Sequence, residues 1–213
     1  DAMVDQVKER GPGPLGVGLM NFLERERAYA NATSDPHFLV RTFNRLAEVA
    51  RTHDPDWAIA RAEEALAWEK NNARNWTVLA RACWTRGVQA NKAGDVRKAE
   101  TSCREALDTL WMARFRFPCN GYVRTELGRM YRDAGDFESA ETIYREAMAE
   151  FPDDVACRCG LAEVLVESDR SDRIQEAEHL YRECGLRFPD DPYCRNALAE
   201  ILFHRSAANR DTG

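Results

Sequence analysis

The chain reads as an all-α solenoid of antiparallel helix hairpins, and three observations lead there. A segment opening on Gly135-Asp136 and closing on Phe151-Pro152-Asp153-Asp154 recurs, with Ala140, Tyr144 and Phe151-Pro152 falling on Ala177, Tyr181 and Phe188-Pro189, 37 positions later. A period in this range marks a repeated helical hairpin that buries its apolar face on the next copy. Helix signals alternate with turns along the chain, and no segment keeps strand alternation over a useful length. Finally, a Leu-small pair recurs as Leu46-Ala47, Leu79-Ala80, Leu127-Gly128, Leu161-Ala162 and Leu198-Ala199.

Taken in order, residues 1–18 end in Gly11-Pro12-Gly13-Pro14-Leu15-Gly16-Val17-Gly18, which cannot hold a helix and reads as a flexible segment. A helix is expected from Leu19 to about Ala32, where Ser34-Asp35-Pro36 closes it and opens the next. The helical domain then spans residues 19–208, with a short tail at 209–213. In the first helix of each hairpin, Ala50, Cys83, Tyr131, Leu165 and Leu202 follow three residues after the small member of the pair. Together they form a narrow stripe on which a neighbouring helix can approach closely. The second helices carry Ala58, Ala99, Ala140 and Ala177 near their starts, with Ala65, Ala106 and Ala147 seven residues after the first three.

Composition bounds the function. Hydrophobic residues make up 44% of 213, enough for a continuous core. The formal net charge of −6 argues against general nucleic-acid binding, which needs a basic field. No stretch approaches the roughly 18 apolar residues of a membrane span. The seven cysteines are odd in number and lie in helical pattern, so reduced thiols and a cytoplasmic location are expected. The first residues have no signal-peptide pattern, and the chain reads as a piece of a longer protein.

No catalytic or metal constellation emerges, so no enzyme activity and no cofactor are expected. His37, His53, His179 and His204 form no HExxH arrangement and lie beside no recognisable nucleophile. Cys157 and Cys159 are i and i+2 on a helix, about 200° apart, and cannot chelate one ion. The glycines of residues 11–18 lack the Lys-Ser/Thr of a phosphate-binding loop.

The run Leu127-Gly128-x-x-Tyr131-x-x-x-Gly135-x-x-x-x-Ala140-x-x-x-Tyr144-x-x-Ala147-x-x-x-x-Pro152 resembles a tetratricopeptide repeat at nearly every signature position. Its first signature position holds Arg124 instead of the usual aromatic, whereas Trp76-x-x-Leu79-Ala80 supplies a Trp in the preceding repeat. The resemblance covers roughly residues 37 to 205 and implies a right-handed superhelix whose first helices line the concave face. One hairpin departs from the pattern. Gly87 falls where the turn glycine belongs, yet Gly94-Asp95 opens the next helix seven residues later, and Ala106 to Pro118 overruns by seven as well. Matching insertions imply a hairpin lengthened by about 10 Å, in whose core Leu107, Leu110, Trp111 and Phe115 are expected to pack.

Counting from the Leu-small pairs, the resemblance places Arg41, Asn44, Arg45, Glu48 and Arg51 on the concave face of the first hairpin. It adds Arg74, Thr77, Arg81, Trp84 and Thr85, then Tyr122, Thr125, Glu126, Arg129 and Arg132. The later lining turns neutral or acidic, at Cys159, Glu163, Val166 and Glu167, then Tyr193, Asn196, Glu200, Phe203 and His204. Guanidinium groups at successive steps of a groove suit carboxylates. The sequence therefore points to a protein-interaction module whose groove takes a partner peptide or helix, with an acidic segment expected. Arg41, Asn44, Arg45, Arg74, Arg81, Trp84, Tyr122, Arg129 and Arg132 are the expected contacts. The alternative is a regulatory or docking domain of a larger multidomain enzyme, contacting it in cis. Of the two-carboxylate clamp of chaperone-tail-binding relatives, only Asn44 and Arg129 match, and the lysines are absent.

Overall fold

The computed structural model describes residues 36–168 and 171–189, together with positions 25 and 28. The expected helix at 19–32, the glycine-rich start, and the final helix with Tyr193 and Phe203 lie outside the described residues. Eight helices occupy the described chain, and no strand appears among the described residues: α1 (Pro36–Ala50), α2 (Pro55–Trp68), α3 (Ala73–Lys92), α4 (Val96–Arg116), α5 (Gly121–Asp133), α6 (Phe137–Glu150), α7 (Val155–Glu167) and α8 (Ser171–Arg187). They divide into two compact units, Asp1–Ala106 and Leu107–Gly213, with the boundary inside α4.

In the first unit, α1 buries Leu39, Val40, Phe43, Leu46, Ala47 and Ala50, the spacing of one helical face. Asp54 caps α2 by accepting from the Trp57 amide at 3.0 Å, and Pro55 supplies a first-turn residue with no amide to satisfy. Ala58, Ala62 and Ala65 are fully buried on α2, where a side chain no larger than methyl lets its neighbours close in. α3 runs unbroken for 20 residues and α4 for 21, against 13 for α5 and 14 for α6. Gly87 consequently sits inside α3, where an added Cβ would come within 2.5 Å of Cys103 Sγ on α4.

The second unit repeats one plan. Asn120, Asp136 and Asp154 cap α5, α6 and α7 by accepting from the amides of Val123, Ser139 and Ala156. Gly135 closes α5 at φ +79°, as Gly94 closes α3 at φ +81°, a backbone region that favours glycine. The core between α6, α7 and α8 gathers Ala140, Tyr144, Leu161, Ala162, Leu165, Ala177 and Tyr181. Tyr144 lies between two glycines: a Cβ on Gly128 would meet its ring at 2.8 Å, and one on Gly160 at 2.4 Å. Those two bare positions are what allow a buried tyrosine between α5 and α7. Leu110 is fully buried as expected, but Phe115 is 91% exposed, so it does not join a core. Trp111 is partly exposed and donates from Nε1 to Tyr131 Oη at 3.0 Å.

A second regularity explains Arg124. Its Nη2 donates to the carbonyl of Pro118 at 3.0 Å, and Arg158 donates to the carbonyl of Pro152 at 2.9 Å. In the preceding repeat Trp76 donates from Nε1 to the carbonyl of Lys70 at 2.9 Å. Each donor reaches the residue six places earlier, in the turn before its helix. A long planar side chain with an N–H at its far end is what the position requires, and indole and guanidinium both supply it. Both arginines are buried, which their pairing with Glu150 and Glu183 makes tolerable.

Candidate functional site

In the first unit, the facing sides of α1 and α3 are held in register by polar contacts. Arg81 Nη1 bonds Glu48 Oε1 at 2.8 Å, and Arg51 Nη1 bonds Thr85 Oγ1 at 3.3 Å. Each contact joins residues 33 or 34 apart. Stepping both helices back seven residues, about two turns, puts Arg41 level with Arg74. Arg41, Arg45 and Arg74 are exposed and make no ion pair among the described residues. Among the described residues, α1, Arg51 just after it and α3 thus bring to this face five arginines and one carboxylate of their own, Glu48.

Two expected contacts belong elsewhere. Asn44 is 3% exposed and donates from Nδ2 to Asn75 Oδ1 at 2.7 Å. Asn75 in turn donates to the carbonyls of Ala65 and Glu69 at 3.0 and 2.8 Å. The pair ties α1 to α3 and to the end of α2, so the Asn44 amide nitrogen is committed to this buried seam. Trp84 is 8% exposed, so its ring is buried and not displayed on an open groove. Thr77, placed on the same lining, is also buried. Counting positions from Leu79 fixes a residue's place along α3 but not how closely its neighbours cover it.

In the second unit, α5 and α7 border a cleft of about 350 Å³ lined by Thr125, Arg129 and Arg132, by Val155, Ala156, Cys159, Gly160 and Glu163, with Tyr144 contributed by α6. Five of these are lining residues that the repeat pattern predicts: Thr125, Arg129, Arg132, Cys159 and Glu163. Tyr144 and Gly160 are not among its predictions. Tyr144 Oη donates to the Thr125 carbonyl at 3.3 Å, and burial pushes its phenol far above the ordinary range.

The arginines of this cleft are already matched. Arg129 bonds Glu126 at 2.7 Å and Asp133 at 3.1 Å. Burial alone would lower the Arg129 guanidinium, but Glu126 and Asp133 outweigh it and hold the charge more firmly still. Arg132 pairs with Glu163, with Asp133 at 3.4 Å and with Glu167 at 3.8 Å. Two cations thus face four carboxylates. Tyr122 is 45% exposed in the first turn of α5 and does not line the cleft.

Among the described residues, no group of three or more His, Cys, Asp or Glu side chains is arranged to hold a metal ion. No described helix is long and apolar enough to cross a membrane.

Residues 131–201 match the family model described as tetratricopeptide repeat. That segment is about a third of the chain, and over it the sequence is similar to a tetratricopeptide repeat. TTC0263, a thermophilic TPR protein of Thermus thermophilus, superposes with a TM-score of 0.69 at 22% identity, over 84% of this chain and 87% of that one. MamA superposes with a TM-score of 0.54 at 13% identity, over 87% of this chain and 94% of that one. The human IFIT1 dimer with PPP-AAAA gives 0.54 at 12% identity over 90% of this chain, which spans only 44% of the IFIT1 chain. At these identities the likeness is one of fold. No curated protein matches the chain in sequence.

Proposed function

We propose that the chain is a protein-interaction module that binds an acidic segment of a partner on the α1–α3 face of its first unit. The observation that carries this reading is the charge that α1, Arg51 just after it and α3 themselves contribute to that face: Arg41, Arg45, Arg51, Arg74 and Arg81 against one carboxylate of their own, Glu48, in a chain whose net charge is −6. Arg41 and Arg74 present exposed guanidiniums at one level, where carboxylates two positions apart on an extended segment can each accept two hydrogen bonds. The acidic preference belongs to this face and not to the second unit. There Arg129 and Arg132 are neutralised by their own carboxylates, and a partner carboxylate would have to displace Glu126 or Glu163.

Exposure matters for the energetics. Arg41 and Arg74 each give a modest, salt-screened attraction, so affinity has to come from apolar burial by the partner while the arginines set its position. A cytoplasmic partner is in keeping with the reduced thiols that the cysteine pattern leads one to expect. The test is capture from a cell extract on the immobilised intact chain, compared with the Arg41→Glu/Arg74→Glu variant. Proteins lost with the variant should carry an acidic run at the bound site, mapped by crosslinking to α1 and α3. An identical set of captured proteins for both chains would overturn the reading.

A further inference from the structure

We propose that Cys159 and Cys184 form a latent disulfide site, oxidised by a small organic disulfide that enters through the cleft between α5 and α7. The inference stands apart from the binding reading of the first unit. The two sulfurs lie 3.8 Å apart, joining facing helices α7 and α8 across 25 residues of chain. Both side chains are buried, at 3% and 0% exposure. Buried thiols are ordinarily inert for want of access, and here Cys159 has a route, because it lines the cleft. A disulfide requires about 2.05 Å between sulfurs, so the thiols must approach by rotation about their side-chain bonds and not by parting of the helices.

No other described cysteine is set up this way. Cys157, two residues from Cys159, is fully buried, lies against Thr125 Oγ1 at 3.2 Å and does not line the cleft. Burial pushes its thiol up to about 11. Cys119 is exposed, where a mixed disulfide is the expected end point.

The chemistry is a double exchange. The Cys159 thiol loses its proton, and its sulfur attacks one sulfur of the reagent, whose S–S bond breaks and releases one thiol carrying that proton. The Cys184 sulfur then attacks Cys159 Sγ, displacing the second half of the reagent as a thiol with the Cys184 proton. One protein S–S bond forms, and the reagent is reduced to two thiols.

The test uses the intact chain carrying Cys119→Ser, incubated with bis(2-hydroxyethyl) disulfide, quenched by acid and mapped by peptide mass spectrometry. The expected product is a Cys159–Cys184 linked pair lacking two hydrogens, with the melting temperature raised by roughly 5–10 °C. Cys184→Ser should arrest the reaction at a mixed disulfide on Cys159. Ala156→Trp, at an exposed lining position, should slow it at least tenfold by closing the cleft. Thiols that stay unmodified until the chain is unfolded would overturn the proposal. A link formed as fast in Ala156→Trp would overturn it too, since the reagent would then be entering by local unfolding.

Discussion

Replacing Arg124 with alanine should destabilise the second unit by roughly 3 kcal/mol, and replacing it with tryptophan should restore most of that loss. The magnitude follows from what the side chain touches. A charged donor bonds the Pro118 carbonyl at 3.0 Å inside the fold, a contact that contributes ~1.5–3 kcal/mol. The guanidinium also lies 5.4 Å from the centre of the Phe151 ring, adding ~0.5–1 kcal/mol. The pair with the half-exposed Glu150 adds ~0.2–1 kcal/mol. These terms overlap, so the lower part of their sum is the expectation. Tryptophan keeps the decisive bond, as Trp76 does with the Lys70 carbonyl at 2.9 Å. The assay is urea unfolding followed by far-UV circular dichroism, comparing midpoints at matched slopes. If Arg124→Ala stayed within about 0.5 kcal/mol of the parent, or if Arg124→Trp lost as much as Arg124→Ala, the shared role of positions 76, 124 and 158 would be refuted.

Other expectations follow from the same geometry. Gly160→Ala should cost ~1–3 kcal/mol in the same unfolding assay, because its Cβ would come within 2.4 Å of the buried Tyr144 ring; Gly160→Ala combined with Tyr144→Leu should cost less than the two single changes added together. Burial would raise the Glu141 carboxyl, but hydrogen bonds and charge from Arg145 and Arg173 outweigh it and hold it below its ordinary value of 4.5. A depressed carboxylate stabilises the fold above its unfolded value and loses that contribution as pH falls through the folded one. Stability should therefore decline below pH 4.5 less steeply in Glu141→Gln than in the parent, measured by melting at stepped pH. An aromatic disulfide reagent of the Ellman type should react quickly with exposed Cys119, while Cys83 and Cys157, both pushed up to about 11 by burial, should wait for unfolding; Cys119→Ser should remove one equivalent from the fast phase.

The helices are legible in the sequence because caps, turn glycines and apolar spacing are local. Asp136, Gly135 and the Ala140–Ala147 spacing specify α6 within its own segment, and the Leu-small pairs specify its neighbours. The face of each helix is legible too, which is why Thr125, Arg129, Arg132, Cys159 and Glu163 meet in one cleft. What periodicity does not contain is the register between helices. Asn44 and Asn75 are 31 residues apart, and only their side-by-side setting turns a polar lining position into a buried bond. The same limit applies to the cleft arginines, whose charge is taken up by Glu126 in sequence and by Glu163 from the next repeat. Arg124 stands out as a departure from the repeat signature, but its equivalence to a tryptophan rests on a shared carbonyl that no pattern of side chains displays. Cys159 and Cys184 give no sequence signal as a pair.

The most direct test of the interaction reading is a fluorescence-anisotropy titration of a labelled Glu- and Leu-rich peptide with the intact chain at low and moderate salt. The parent should bind the peptide, more weakly as salt rises, and Arg41→Glu/Arg74→Glu should lose at least tenfold in affinity, about 1.4 kcal/mol. The charge-reversed cleft variant, Arg129→Glu/Arg132→Glu, should change affinity far less, provided its helicity matches the parent. Equal binding by the parent and the Arg41→Glu/Arg74→Glu chain, or a larger loss in the cleft variant, would contradict the account.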